Sequence, residues 1–324
     1  MLMRHATILV LGGSGFIGSR LIAQLVGDGR RVIVPSRRYE RVKHLCVLPT
    51  VEIVVADIHQ NEVLNALVRR ADAVINLVGV LHSRGGGGPT GYGPDFARAH
   101  VELPTRVVTA CVEAGVGRLL HMSALGADRA APSMYLRSKA AGEAVVLSSP
   151  TVATTVFQPS VVFGEGDAFL NLFAGLQRWF PVLPLGGADA QFQPVYVDDV
   201  ARAFVNALDN QTTFGRVYEL AGPRVYTLRE LVQLAGRYSG HARPVIGLPD
   251  ALAYLQALLL EWAPGGPLMS RDNLASMQHP NVAQGPVAPE LNLQLTALES
   301  VAPSYLGGAD AQSRFDAFRA RRSR

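Results

Sequence analysis

Tyr135 and Lys139 stand four residues apart in the run Tyr135-Leu136-Arg137-Ser138-Lys139. At that spacing two side chains share one helix face. An ammonium beside a phenol favours the phenolate and lowers the phenol pKa from its usual ~10, more so with an oxidised nicotinamide nearby. Such a tyrosine exchanges a proton with a substrate hydroxyl or carbonyl. Ser123 precedes Tyr135 by twelve residues and follows the apolar run 119–122. Its hydroxyl would orient the same oxygen. The trio reads as catalytic: Tyr135 as acid/base, Lys139 as its electrostatic partner, Ser123 as the group that orients the substrate oxygen.

A second set of residues suits an anion. Gly12, Gly15 and Gly18 lie three apart, after the apolar run Thr7–Leu11 and at the start of a helical run. Gly12 permits a tight turn, Gly15 lets the backbone approach a pyrophosphate, and Gly18 allows close packing of helix on strand. The phosphates meet the free N–H groups and the positive end of the helix dipole, where Phe16 and Ile17 begin the first turn. This pattern predicts dinucleotide binding. An acid that would hold a ribose 2′-hydroxyl is missing after the second strand, which ends Val34-Pro35-Ser36-Arg37-Arg38. Ser36, Arg37 and Arg38 suit a 2′-phosphate instead. NADP(H) is therefore preferred, and NAD(H) stays open. Asp57 and Ile58, after the third strand, would lie beside the adenine.

These residues need a scaffold that brings strand ends together. Short, continuously apolar runs at 7–11, 31–35, 51–56, 73–77, 119–122 and 153–157 alternate with helical runs at 15–26, 62–70, 94–114 and 134–147, with 38–45 also helical in pattern. Strands apolar on both faces, alternating with helices, imply a parallel sheet covered on both sides. Right-handed crossovers make it doubly wound, a Rossmann α/β fold. Residues 1–160 would form the nucleotide-binding domain. Residues 161–324 would form a smaller, mixed lobe, with part of 190–220 returning to the sheet. In that lobe 167–180, 198–208, 228–238 and 251–262 read as helices and 181–190 as loop.

Composition agrees. The 324 residues are 48% hydrophobic and 17% charged, against a usual charged share of ~25%. That excludes disorder. Net charge is +4, and the basic residues cluster only in the tail, at Arg314, Arg319, Arg321, Arg322 and Arg324. No nucleic-acid partner is expected. Cys46 and Cys111 have no metal-ligand spacing and read as buried, reduced thiols; no metal is expected. No apolar run reaches the ~20 residues of a membrane span, and Gly12 and Gly13 interrupt the N-terminal apolar run before it could serve as a leader. A cytoplasmic protein is expected. Gly85–Gly88 reads as a loop, either a linker or a lid.

The chain resembles the extended short-chain dehydrogenase/reductases, in Gly12–Gly18, Asp57-Ile58, Asn76-Leu77-Val78-Gly79, Ser123, Tyr135-x-x-x-Lys139, Gln158–Gly164 and the run 194–201. The runs 135–143, 163–171 and 193–200 are similar to a narrower, atypical group: the NADPH-binding accessory subunit of respiratory complex I and its bacterial relatives. The resemblance implies that Leu77, Val78, Gly79, Pro159, Ser160 and Val161 join Tyr135 and Lys139 along the cofactor. It implies an oxidoreductase, or alternatively an NADP(H)-binding assembly factor near respiratory or quinone-pathway proteins at the inner face of a membrane. Two departures weigh against a third alternative, sugar-nucleotide turnover by an epimerase or dehydratase. Gln158-Pro159 stands where Arg-Pro is usual, and His100 where asparagine is frequent. His100 reads as a satisfied helix histidine. Residues 167–185 are rich in Phe, Leu and Trp, with Arg178 their one cation. They read mainly as core, and in part as a pocket for an apolar, quinone-like or lipid-like compound. The run 251–262 reads as core or interface.

Overall fold

A computed structural model describes residues 4–83, 85, 91–262 and 269–307. Gly86, Gly87 and Gly88 of the loop read as a linker or a lid, and the arginine-rich tail, lie outside the described residues. Along the chain the strands are β1 (Thr7–Leu11), β2 (Arg31–Ser36), β3 (Val51–Val55), β4 (Ala73–Asn76), β5 (Arg118–Met122), β6 (Ala153–Pro159) and β7 (Val162–Phe163). There follow β8 (Leu183–Leu185), β9 (Gln191–Phe192), β10 (Val195–Tyr196), β11 (Arg216–Leu220), β12 (Tyr226–Thr227) and β13 (Val245–Gly247). The helices are α1 (Phe16–Gly27), α2 (Asn61–Val68), α3 (Pro94–Phe96), α4 (Leu103–Ala114), α5 (Met134–Leu147) and α6 (Ala168–Trp179). After them come α7 (Val197–Leu208), α8 (Leu228–Tyr238), α9 (Asp250–Leu260), α10 (Arg271–Ser276) and α11 (Leu298–Leu306).

Seven strands form one parallel sheet in the order β11-β6-β5-β4-β1-β2-β3. The order reverses at β1 and β4, and in doubly wound sheets ligands bind in the crevice beyond the carboxyl ends of the strands at such a point. Alternate residues of each strand point to opposite faces. Ile8 and Val10 join α1 and α7 through Leu21, Ile22 and Phe204. Leu9 and Leu11 join α2 and α4 through Leu64, Leu67 and Val107. Both faces of the central strands are buried, which is why β1 and β4 are almost continuously apolar. A third core, around Phe163, Leu170, Leu185, Phe192, Leu231 and Leu298, holds α6, α8 and α11 against the short strand pairs β8–β13 and β9–β12.

Several expectations are corrected. The segment 38–45 is not an α-helix but two 3-10 turns, Tyr39–Arg41 and Lys43–Val47; their one buried side chain is Leu45, too little apolar surface to seat a longer helix. The run 94–114 is one helical path broken by a π segment, Ala97–Glu102, between α3 and α4. The expected loop 181–190 contains β8, paired with β13. The run 251–262 is helical but is not core: only Ala253 and Ala257 of α9 are buried. They form a narrow stripe, and Gly186 beneath Ala253 brings the backbone close. Leu252, Leu255, Leu259 and Trp262 face outward, Trp262 at 85% exposure. Trp179 and Phe180 are likewise exposed, while Phe169, Leu170, Phe173, Leu176 and Leu183 pack as core. Cys111 is buried as expected, but Cys46 is exposed, on the side of the second 3-10 turn away from the buried Leu45.

Candidate functional site

The glycine loop has the form its spacing implies. Gly12 adopts φ +82, and a Cβ there would lie 3.1 Å from the backbone of Leu77 and Val78. At Gly18 a Cβ would meet Gly12 O at 2.6 Å and Gly13 Cα at 2.7 Å. Gly15 is the exposed N-cap of α1 and makes no side-chain cap. The first-turn N–H groups of Phe16 and Ile17 are therefore free to meet an anion, and α1 has no acidic residue in its first turn to compete for them. Gly13 also matters, which the spacing did not reveal: a Cβ there would strike Ile22 and Val34.

Beyond β2, the buried Ser36 hydroxyl bonds the Arg38 carbonyl at 2.9 Å, leaving the Arg37 and Arg38 side chains exposed. Asp57 caps the next turn through the His59 N–H, and Ile58 packs on the α2/α4 core. His59 is held below its usual pKa by burial and then by Arg98, with Arg106 and Arg37 acting the same way. Arg106 also donates to the His59 carbonyl at 2.8 Å. Arg37, Arg98 and Arg106 thus gather their charge around His59. Arg98 and Arg106 come from the long helical path and carry no sequence signal at this site.

Ser123, Tyr135 and Lys139 come together at the end of β5. Ser133 caps α5 by accepting from the Leu136 N–H at 3.2 Å. Lys139 is 5% exposed, its Nζ donates to the Met122 carbonyl at 3.2 Å, and it lies 6.0 Å from the centre of the Tyr135 ring. Gly79 makes room for it: a Cβ there would stand 3.1 Å from Lys139 Nζ. Tyr135 packs against Phe96 and His100. Burial pushes its phenol up to about 12. This corrects the expected lowering by Lys139: in the chain alone, lost solvation of the phenolate outweighs the ammonium. Burial also pushes Lys139 down to about 8, with Glu143 pulling it back up. Ser123 is buried close to the Glu143 carboxyl, without a well-formed hydrogen bond of its hydroxyl.

His100 is the satisfied histidine expected. Its Nε2 accepts from the Val80 N–H at 3.1 Å, so its proton lies on Nδ1, which faces Ser138 Oγ at 2.8 Å. Ser138 in turn donates to the Tyr135 carbonyl at 2.7 Å. Burial, and then the charge of Lys139, push His100 down to about 2. The π segment carries this ring to the crevice, as such segments often do at functional sites. Leu77 and Val78 line the turn after β4, where Asn76 Oδ1 accepts from the Val78 N–H. At the end of β6, Pro159 accepts from the Leu125 N–H. The Ser160 hydroxyl and the Val161 N–H are both taken by Asn281 Oδ1, at 2.5 and 3.1 Å. Asn281, from the C-terminal part, had no motif to announce it.

With this geometry in place, the relatives decide the family. Residues 8–221 match the NAD dependent epimerase/dehydratase family. The chain belongs to that family. It is 36% identical over 231 residues to the mitochondrial NADH dehydrogenase [ubiquinone] 1 alpha subcomplex subunit 9 of Arabidopsis thaliana, covering 69% of this chain and 56% of that protein. The chain thus spans little more than half the length of this plant relative. It is 30% identical over 249 residues to a ceramide reductase of Caulobacter vibrioides, covering 76% and 74%. Among solved structures, Pal from Bacillus thuringiensis shares the fold with a TM-score of 0.70 at 15% identity, over 93% of this chain and 97% of that one. The Rossmann fold, the family and the relation to a complex I subunit agree with the resemblance. Among the described residues, no helix is long and apolar enough to cross a membrane.

Proposed function

We propose that the chain is an NADP(H)-dependent oxidoreductase acting on an apolar carbonyl, hydroxyl or quinone-type compound. One observation carries this reading: Lys139 is buried beside Tyr135 at the sheet end that also holds Ser123, in the crevice that the glycine loop opens. The residues fit a dinucleotide. The uncapped start of α1 suits the pyrophosphate, the missing Cβ atoms of Gly12 and Gly79 leave a cradle, and Ser36, Arg37 and Arg38 with Arg98 suit a 2′-phosphate. When bound, the cofactor supplies or accepts the hydride. Tyr135 gives or takes the proton at the substrate oxygen, and Ser123 hydrogen-bonds that oxygen. Lys139 holds positive charge beside the phenol and, with Leu77–Gly79, would hold the nicotinamide ribose. The relative named a ceramide reductase supports an apolar substrate.

Thermal melting tests the cofactor. A ligand that binds only the folded state at about a hundredfold above its Kd adds ~2.7 kcal/mol. NADPH raises Tm by several degrees and NADH by less. Equal shifts would remove the role of Arg37 and Arg38, and no shift with either would remove the cofactor itself.

A second reading is favoured by the plant relative's name and by the outward face of α9. In it the chain holds NADP(H) without turnover, as an assembly or stabilising partner of respiratory or quinone-pathway proteins at the inner face of a membrane. Cross-linking in the native host decides between them. Recovery of such proteins, with Tyr135→Phe leaving the host phenotype intact, supports the second. A partner-free monomer in the aqueous fraction excludes it.

A further inference from the structure

Glu143 lies one turn beyond Lys139 on α5, where the helix packs over β5 and β6. Its Oε1 accepts from Gln158 Nε2 at 2.8 Å. Gln158 is neutral, so the hydrogen bond anchors the carboxyl without cancelling its charge. Lys139 is the cation that acts on it. Glu143 is partly buried and Lys139 buried, and at i, i+4 on one helix face the two charges support one another without a direct ion pair. Around Lys139 the titratable groups are Tyr135 and Glu143 from α5, His121 from β5 and His100 from the π segment. His100 is neutral, as its bond from the Val80 N–H requires. His121 is neutral as well, since Asn76 Nδ2 donates to its Nδ1 at 3.2 Å, and burial keeps it from protonating. Tyr135 is a neutral phenol. Glu143 is the one group in this set that brings negative charge.

We propose that Glu143 is a positioning residue for Lys139. Its carboxylate, anchored by Gln158, is the counter-charge that keeps the buried ammonium protonated and seated beneath Tyr135. This rests on the reading of Lys139 as the electrostatic partner of Tyr135. The carboxylate raises the affinity of Lys139 for its proton, opposing burial, which pushes that affinity down. It lies on the strand side of α5 beside Gln158 and Ser123, so it reaches the substrate oxygen only through Lys139 and Ser123.

The chain contains two lysines, Lys43 and Lys139, which makes a direct measurement simple. The protein is labelled with 13Cε-lysine, the two signals are assigned with Lys43→Arg, and each is titrated by NMR without cofactor or substrate. The wild-type Lys139 signal titrates near 8. In Glu143→Gln the midpoint falls by about one unit. Gln158→Arg keeps the carboxylate but offers it a guanidinium, and the midpoint falls again; this variant serves where Glu143→Gln does not fold. Glu143→Asp restores part of the wild-type value. A midpoint that stays put or rises in both folded variants would overturn the proposal. The readout involves no dinucleotide. A Lys139 midpoint that follows Glu143 while neither NADPH nor NADH shifts Tm would sink the functional reading and leave this one standing.

Discussion

Tyr135 and His100 meet edge to face with ring centres 5.6 Å apart, and burial drives both to their neutral forms. The phenol is pushed up to about 12 and the imidazole down to about 2. In the chain alone, the lysine does not prepare a phenolate; it must first be joined by further positive charge before Tyr135 can act as a base near neutral pH. The phenol titration at 295 nm tests this. At about pH 10.5 an ordinary tyrosine is mostly ionised. Wild type and Tyr135→Phe should therefore show equal phenolate absorbance there, because Tyr135 contributes none. One phenolate fewer in the variant would show that burial does not hold Tyr135 in its neutral form. Ser123, Tyr135 and Lys139 were legible in the sequence because unusual residue types recur at a spacing that one chemistry requires. Glu143 has the same i, i+4 relation to Lys139, yet a helix glutamate ordinarily faces solvent, and only packing against β6 reveals it as part of the site.

The helix that carries this chemistry is closed at its N-terminus by a residue from far along the chain. Ser133 satisfies the Leu136 N–H, while the Asp272 carboxylate of α10 accepts from the Met134 and Tyr135 N–H groups at 2.6 and 3.0 Å. Negative charge at a helix N-terminus is favourable in itself. Asp272→Ala strands two donors and costs on the order of 1–3 kcal/mol. Tm falls, and amide exchange at Met134 and Tyr135 speeds up. Ser133→Ala frees only Leu136. Equal protection of Met134 and Tyr135 in wild type and Asp272→Ala would show that the carboxylate does not hold the turn. The sheet was readable from local apolar runs because its central strands are buried on both faces. This clamp was not, since 138 residues separate Asp272 from Met134 and no periodicity records such a meeting. Residues 94–114 show the same limit. Their pattern is helical throughout, but the π segment is imposed by packing: the backbone of His100 comes so close to α5 that a Cβ on Gly142 would meet the His100 carbonyl at 2.1 Å.

For the molecule as a whole, the buried neutral histidines set the acid limb of its stability. His121 titrates at about 3 and His100 at about 2, each held down first by burial and then by Lys139. Once unfolded, both take up protons below the ordinary histidine value of ~6.5. Between that value and about 3 the unfolded chain binds up to two more protons than the folded one at these sites. Stability therefore rises with pH across this window and is lost as pH falls through it, by as much as ~2.7 kcal/mol per pH unit. Glu52, Asp209 and Glu261, all lowered, add loss of the same sign at the acid end, while Glu143 and Asp199, both raised, oppose it. His100→Asn removes one titrating ring and isolates its share. The variant is less stable at neutral pH, because the Val80 N–H and Ser138 lose the geometry of their partner. Its urea midpoint nevertheless varies less steeply between pH 6 and 4, by about one proton or ~1.4 kcal/mol per pH unit. An acid limb as steep in His100→Asn as in the wild type would mean that His100 protonates inside the fold, and that the Val80 contact does not fix it as a neutral acceptor.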